Sequence, residues 1–442
     1  MNSQASAPPS DPACLSAADA ARAIHAGTLT AVSLMEACLA RIAAREPEVR
    51  AWSYLDPASA LDQAREADRR QAAGQPLGPL HGLPIGVKDV FDTVDMPSEY
   101  GSALYRGRRP QVDAAAVARL RRAGAIIIGK TTTSEFGMYH PSPTRNPRDL
   151  ARSPGVSSAG SAAAVVDHMV PLALGTQHTA STTLPASFCG AFAFKPSLGF
   201  ADMAGSNILV PRLAHLGLMA RSVADLALFA GAFDSTLADL DSIERLPAPR
   251  VALVRGPGWA SVAPDAAAAL DRLLARLAVP VAEPPLPTEF ERALEVTLGL
   301  LDAHLAFRFG ALPTEDFERL CPPLRAGVDS GRAMSAPRYL ELDALADRLT
   351  MLAAGLFAEH DLLVTLSTPG EATLLAEGPG SGVMSMPWSL CGLPTVSLPL
   401  LHGVGGLPIG LQLIGPQGGD RALLQAAAWL AAQVNPTTSH EI

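Results

Sequence analysis

The chain has 442 residues, of which 48% are hydrophobic and 17% are charged, as expected for a globular protein with a large interior. The formal net charge is −9 and there is no block of lysine and arginine residues, which argues against a nucleic-acid footprint or a polybasic membrane contact. The five cysteines are scattered without a C-x-x-C pair, so neither a disulfide framework nor a zinc site is indicated. The composition therefore favours a cytoplasmic protein that acts on a small molecule without a metal.

The N-terminal part of the chain is expected to be helical. Residues 1–12 form a polar tail without the basic start and apolar core of a signal peptide, and no run of 18 apolar residues predicts a membrane span. Helical periodicity follows, with Thr30 placed to cap one helix and Asp56 and Pro57 placed to begin another. Residues 13–76 are thus predicted to be N-terminal helices.

From residue 77 onwards, apolar strands alternate with helices. Buried strands are predicted in "GLPIGVKDVFD", "AIIIG", "VPLALGT", "AFAFKPS" and "RVALV". Helices are predicted at about 113–123, in "SAAAVVDHM" and in "RSVADLALFAGAF". This alternation over 77–235 is typical of an α/β core.

The second half of the chain contains a helical region followed by more strands. Within a variable region at 236–370, residues of about 264–360 are mostly helical and are predicted to be an insertion over the sheet. The final region, 371–442, brings further strands at "PTVSLPLL" and "PIGLQLIG", and a helix from about 420. Because strands occur near both ends, one domain spanning 1–442 is favoured over three separate domains.

Three places could carry chemistry, and each also has an ordinary interpretation. Lys88 lies in an apolar strand, where a lysine is usually paired with an acid such as Asp89. The segment "SPGVSSAGSAAAVV" opens into a helix, so its serines could simply cap that helix, with an anion site as the functional alternative. Ser181 in "GTQHTASTTLPAS" would ordinarily be a turn serine.

Considered together, the three places suggest an activated serine. A serine hydroxyl needs a base, and the chain has no convincing His-Asp pair beside a G-x-S-x-G turn. A neutral lysine can act as that base if burial lowers its pKa by roughly three units, which costs about 4 kcal/mol. A second serine between the two can relay the proton.

The same segments closely resemble the motifs of the amidase signature family. "GLPIGVKD" with Lys88 is similar to the family's "GLPxxVKD", and "PGVSSAGSAAAVV" with Ser157 is similar to "PGGSSxGSAAAVA". "GTQHTAS" with Ser181 is similar to "GTxTGGS", and the 24 positions from 157 to 181 match the family spacing. The resemblance covers most of the chain and is weak only at about 235–370, the region that shapes the substrate pocket in the family.

The resemblance implies both a fold and a set of roles. The fold would be α/β, with a single large mixed sheet flanked by helices on both sides. Ser181 would attack an amide carbonyl, and Ser157 would relay its proton to Lys88, without a cofactor. Two further sets of residues are implied: an oxyanion hole from backbone N–H groups of His178, Thr179, Ala180 and Ser181, and supporting hydrogen bonds from Gln177 and from Ser158, the latter to Ser157 or Lys88.

Several positions depart from the family pattern. The family has a cis peptide bond before the relay serine, here Val156–Ser157, and a glycine where this chain has Val156. Thr179 and Ala180 replace the usual Gly-Gly, and the arginine that normally orders the turn is absent. Threonine and alanine resist positive φ, so a distorted oxyanion hole is expected.

Other polar residues near these motifs are predicted to be structural. His178 could contact substrate, but a packed or exposed histidine that bonds a local carbonyl is the expected interpretation. Glu135 and Asn146 are expected to be scaffold hydrogen bonders.

Three functions remain open on this evidence. The first is hydrolysis of a small-molecule carboxylic amide to an acid plus ammonia or an amine. The second is a catalytically impaired amidase-like binding protein, and the third is the A subunit of a tRNA-dependent amidotransferase. No nucleic-acid or membrane partner is expected, and the oligomeric state stays open, with a homodimer as one candidate.

Overall fold

The computed structural model describes residues 11–138, 141–238 and 248–434. All but the last two residues of the predicted tail at 1–12 lie outside the described residues. No described helix is both long and apolar enough to cross a lipid bilayer.

The described strands form one sheet of eleven strands. They are β1 (Trp52–Leu55), β2 (Pro84–Lys88), β3 (Ile126–Thr131), β4 (Leu172–Gln177), β5 (Phe192–Lys195), β6 (His215–Ala220), β7 (Val251–Leu253), β8 (Val281–Ala282), β9 (Leu362–Leu366), β10 (Thr395–His402) and β11 (Pro408–Ile414). Their order is β1-β3-β2-β4-β6-β5-β10-β11-β9-β7-β8. Strands β3, β2 and β4 pair in parallel, as do β9, β7 and β8, while the remaining pairs are antiparallel. The predicted single mixed sheet is confirmed.

Fourteen α-helices accompany the sheet in the described part of the chain. They are α1 (Ala17–His25), α2 (Ala31–Val49), α3 (Pro57–Ala72), α4 (Ala115–Arg122), α5 (Ala159–Val166), α6 (Thr183–Cys189), α7 (Val223–Gly231), α8 (Pro264–Leu274), α9 (Ala293–Phe309), α10 (Thr314–Arg319), α11 (Pro322–Ala333), α12 (Ala336–Gly355), α13 (Met386–Leu390) and α14 (Asp420–Val434). Thr30 and Asp56 cap α2 and α3 as predicted, since their side chains accept the N–H groups of Ser33 and Ser59. Helices α8 to α12 lie in the region where a helical insertion is predicted.

Helices cover both faces of the sheet, as predicted. In β3, Ile127 belongs to a core cluster that includes residues of α1, α4, α7, α8 and α14. Its neighbours Ile126 and Ile128 belong to a second cluster with residues of α2, α3, α5 and α6. Since successive side chains of a strand point to opposite faces, the two clusters lie on the two sides of the sheet. A third cluster packs α9, α11 and α12 together.

The topology brings the predicted site residues to one edge of the sheet. Lys88 ends β2 and Gln177 ends β4, and these strands are parallel neighbours. The carboxyl ends of parallel strands meet at the same edge, where ligands bind in open α/β sheets. Helix α5, which begins directly after Ser157 and Ser158, leads back to β4, so its first turn also lies at this edge.

Candidate active site

Lys88 is fully buried, and its partners are hydroxyl groups. Its Nζ lies 2.5 Å from Ser157 Oγ and 2.9 Å from Thr176 Oγ1. No carboxylate of a described residue lies within ion-pair distance of Lys88, because Asp89 instead pairs with Lys130 at 3.2 Å. The ordinary interpretation of Lys88 as an acid-paired lysine is therefore wrong. Burial lowers the pKa of Lys88 well below its usual value.

Ser157 lies in a tight turn of trans peptide bonds. Its φ is 63°, and Ser158 N donates to Val156 O at 3.1 Å. No cis peptide bond occurs among the described residues, so the predicted cis bond at Val156–Ser157 is wrong. Positive φ at Gly155 (88°) and at Ser157 reverses the chain instead. A Cβ at Gly155 would come within 2.5 Å of Leu184, so only glycine fits there.

Ser158 holds the neighbouring strand, and not the lysine. Its Oγ donates to Thr176 O at 3.2 Å and makes no cap bond to α5. The prediction that Ser158 bonds Ser157 or Lys88 is wrong, as is a side-chain cap from this serine. Thr176, which sequence reasoning missed, makes the second contact to Lys88. Its presence in the quoted "GTQHTAS" motif was the available signal.

The turn after β4 contains no residue with a positive φ, and several of its backbone N–H groups are unpaired. Neither Thr179 nor Ala180 has a positive φ, so the expected strain from replacing Gly-Gly is absent in this turn. Within the described chain, the N–H groups of Thr179, Ala180 and Ser181 have no hydrogen-bond acceptor. The Ser181 hydroxyl likewise has no partner among the described residues, including Ser157.

An uncharged network orders this turn where the family has an arginine. Gln177 Oε1 accepts the N–H groups of Thr182 and Thr183 at 2.8 and 3.0 Å. Its Nε2 donates to Ser389 Oγ at 2.9 Å, and that hydroxyl lies 2.7 Å from Thr179 O. The Thr183 hydroxyl lies 2.8 Å from Ser385 Oγ, which joins the turn to the start of α13. Gln177 thus fixes the segment that contains Ser181.

His178 is buried and accepts a hydrogen bond. Its Nε2 accepts the N–H of Leu209 at 3.3 Å, so the predicted bond to a local carbonyl is wrong. Burial lowers the pKa of His178 to about 3. The ring is therefore neutral at physiological pH.

Ser181 opens onto a narrow pocket. The described residues that line the pocket with Ser181 are Gly137, Met138, Val156, His178, Thr179 and Leu301. A Cβ at Gly137 would lie 3.7 Å from Ser157 Oγ and 4.0 Å from Lys88 Nζ, so the lysine and the relay serine lie beside this pocket. Leu301 comes from α9, and the predicted helical insertion therefore contributes to the pocket wall.

Glu135 and Asn146 make hydrogen bonds that support the scaffold, as predicted. Glu135 accepts from the Ser102 hydroxyl and from the Cys321 N–H, and Asn146 Nδ2 donates to Ser153 O and Phe188 O. Over the described ranges, no three His, Cys, Asp or Glu side chains come together as metal ligands. A larger cavity of about 470 Å³ lies elsewhere, against Arg148, His168 and Arg221, and no predicted site residue lines it.

At this edge of the sheet, Lys88 and Ser157 lie beside the pocket onto which Ser181 opens. A family model described as Amidase matches residues 33–424, and the chain belongs to that family. This confirms the resemblance to the amidase signature family.

Individual relatives extend over nearly the whole chain. The A subunit of glutamyl-tRNA(Gln) amidotransferase from Chloroflexus aggregans (strain MD-66 / DSM 9485) is 35% identical to this chain. The alignment is 454 positions long, including gaps, and covers 91% of this chain and 93% of the relative. A solved structure described as an amidase has a TM-score of 0.88 at 30% identity, covering 95% of this chain and 100% of its own. A chain from a vestigial protein complex, linked to the evolutionary origins of an s-triazine catabolic enzyme, has a TM-score of 0.88 at 27% identity and covers 96% and 99%.

Proposed function

We propose that this protein is an amidohydrolase that cleaves a small-molecule carboxylic amide to an acid plus ammonia or an amine. The observation that carries the proposal is Lys88, which is fully buried between two hydroxyls without a carboxylate partner in the described chain. A lysine in this setting is neutral and can accept a proton from a serine. Membership of the amidase family supports amide chemistry.

Ser181 is the nucleophile in this mechanism. Its Oγ attacks the amide carbonyl carbon, its proton passes to Ser157 Oγ, and the proton of Ser157 passes to Lys88 Nζ. The 2.5 Å contact between Ser157 and Lys88 supports the second transfer. The first transfer requires Ser181 to approach Ser157 once substrate is bound, since catalytic hydrogen bonds commonly tighten only in the complex.

The turn at 178–181 stabilises the developing oxyanion. The unpaired N–H groups of Thr179, Ala180 and Ser181, with that of His178, are available to donate to a negatively charged oxygen. When the intermediate collapses, the proton returns from Lys88 through Ser157 to the departing nitrogen. Water then attacks the acyl-enzyme by the same proton path and releases the acid.

The geometry favours activity over an impaired, ligand-binding relative. Thr179 and Ala180 avoid positive φ, so their side chains impose no left-handed strain on the turn. The Ala180 methyl lies against Gly382, where a Cβ would stand only 2.6 Å away. The larger residue in the turn is thus accommodated by a glycine elsewhere in the chain.

A second candidate function is that of an amidotransferase component. It is favoured by the match to the A subunit of glutamyl-tRNA(Gln) amidotransferase, which extends over most of both chains. The acidic net charge of −9, with 34 basic and 43 acidic residues, does not favour contact with RNA. We therefore rank hydrolysis of a small amide first.

A panel of amides tests the proposal on the protein purified alone. Aliphatic, aryl and ureide-type amides are incubated with wild type, and acid and amine products are quantified by mass spectrometry. We expect hydrolysis of at least one amide, lowered about 10³-fold or more by Ser181→Ala. The matched control is Ser53→Ala, on an exposed serine of β1, which should retain activity.

Two outcomes would contradict the proposal. One is equal hydrolysis by Ser181→Ala and wild type. The other is turnover only in the presence of partner subunits and charged tRNA, which would support the amidotransferase instead.

A further inference from the structure

His178 occupies a position where its ring can contact a bound substrate. It lies three residues before Ser181 and lines the same narrow pocket, with 7% of its surface exposed. Its Nε2 is used as an acceptor by the Leu209 N–H. A neutral imidazole carries one proton, so the proton must be on Nδ1.

The Nδ1–H of His178 is a donor that the described protein leaves without an acceptor. Because burial lowers the pKa of His178 to about 3, the ring does not gain a second proton near neutral pH. A donor that the described protein leaves unused can bind a ligand or water in the pocket that His178 lines. The His178 ring thus offers this pocket a neutral donor.

The rest of the described lining is uncharged. Met138, Val156 and Leu301 are apolar, Gly137 has no side chain, and Thr179 carries a neutral hydroxyl. An ionised group on the acyl portion of a substrate would lose its hydration in this pocket, and no lining residue carries a charge to pair with it. An uncharged group that accepts one hydrogen bond fits this lining better.

We infer that His178 is a specificity-determining residue whose Nδ1–H donates to an acceptor oxygen on a small, uncharged acyl group bound to Ser181. The substrate class is a neutral amide with a second carbonyl a few atoms from the scissile carbonyl. This inference rests on the proposed function. It assigns a role to a side chain that replaces the family's threonine in "GTxTGGS".

Three amides of similar length test the inference. Malonamide has a second, neutral carbonyl, butanamide lacks it, and malonamate carries a carboxylate in its place. We expect wild type to prefer malonamide over butanamide in kcat/KM by about 10-fold or more, because a donor left unpaired in the site discriminates against the analogue that lacks the acceptor. Malonamate should also be disfavoured, because its carboxylate would be desolvated in an uncharged lining.

Two substitutions separate substrate contact from support of the turn. His178→Gln places an acceptor near the position of Nε2, for Leu209, but removes the Nδ1 donor, whereas His178→Asn keeps a donor near Nδ1 and loses the bond to Leu209. The preference for malonamide should fall to about one in His178→Gln and survive in part in His178→Asn. If His178 only supports folding of the turn, kcat/KM should fall equally for malonamide and butanamide, and the ratio of the two values should not change.

The outcomes distinguish this inference from the function on which it rests. An unchanged ratio in His178→Gln, or malonamate turnover equal to that of malonamide, overturns the inference. A wild-type protein that reacts with a fluorophosphonate at Ser181 but hydrolyses neither neutral amide also overturns it and leaves the proposed function standing. Absence of both labelling and amide hydrolysis overturns the proposed function and the inference with it.

Discussion

All three lysines of the chain are buried, and their partners differ. Lys130 pairs with Asp89 and donates to Phe91 O, and Lys195 donates to the carbonyl oxygens of Leu393 and Pro196. Burial lowers the pKa of each lysine, to about 7 for Lys195. Carbonyl oxygens hold no proton to exchange, whereas the hydroxyl of Ser157 does. Lys88 is therefore the lysine whose contacts fit the proposed role of a base.

Thr176 orients the amine of Lys88. In the neutral lysine, an N–H can donate to Thr176 Oγ1 at 2.9 Å, which leaves the nitrogen lone pair free to face the Ser157 hydroxyl. In the charged lysine, Thr176 Oγ1 also accepts a hydrogen bond from the ammonium group, which favours the charged form. Losing this acceptor should affect both the orientation and the pKa of Lys88.

Thr176→Val tests this role through the pH–rate profile. In the proposed mechanism the active form of Lys88 is neutral, so kcat/KM should rise as pH increases through the pKa of this lysine. We expect the plateau of kcat/KM to fall about 10-fold and the acidic limb to move to lower pH, since the charged form loses an acceptor. Thr176→Ser, which restores the hydroxyl, should recover both. Equal impairment of Thr176→Ser and Thr176→Val would argue against this role of Thr176. So would a Thr176→Val profile whose acidic limb lies at the same pH as that of wild type.

The turn between β4 and α6 is held by residues far away in sequence. Gln177 reaches Ser389, and Thr183 reaches Ser385, whose hydroxyl donates to Gln412 Oε1 at 2.9 Å. Ala180 packs against Gly382. The segment that contains Ser181 is thus clamped against α13 and β11 by buried neutral groups.

The packing of Ala180 on Gly382 gives a paired test. Gly382→Ala would place a Cβ 2.6 Å from the Ala180 Cβ, so we expect a loss of about 1–3 kcal/mol in the free energy of unfolding, together with reduced kcat/KM. Adding Ala180→Gly should restore most of both, because it removes the clash. Urea denaturation and kinetics of the two single variants and the double variant measure the coupling. Simple additivity of the two changes would contradict the proposed compensation.

Local motifs predicted which residues come close together better than they predicted the contacts that hold them. Lys88, Ser157 and Ser181 were proposed from segments that each form their own strand end or turn, and their catalytic roles stay a prediction. The contacts of Gly382, Ser385 and Ser389 with this turn could not be predicted in this way. These residues lie about 200 positions from Ser181 in the sequence, and only the folded sheet brings them to the turn. The cis bond was predicted from resemblance, whereas in this chain positive φ at Gly155 and Ser157 makes the turn with trans peptides.

At the scale of the whole molecule, one sheet joins distant parts of the chain. Apolar segments predicted most of the strands, but not β6, β8 or β1, which lies within the region 13–76 that was predicted to be helical. Strands near both ends indicated one sheet. The order of the strands in the sheet could not be predicted from periodicity, because it depends on which strands pair with each other. For example, β5 lies between β6 and β10. The N-terminal helices are tied to the core at Asp167, which pairs with Arg41 at 2.5 Å and with Arg45 at 2.9 Å.

The central claim is that Ser181 is a nucleophile activated through Ser157 by Lys88, in a protein that works without partner subunits. The most direct measurement is labelling of the purified chain with a fluorophosphonate, followed by peptide mass spectrometry to locate the adduct. The account predicts one adduct on Ser181, none in Ser181→Ala, and labelling at least about 100-fold slower in Lys88→Met. An adduct on another residue, or equal labelling of Ser181→Ala and wild type, would contradict it.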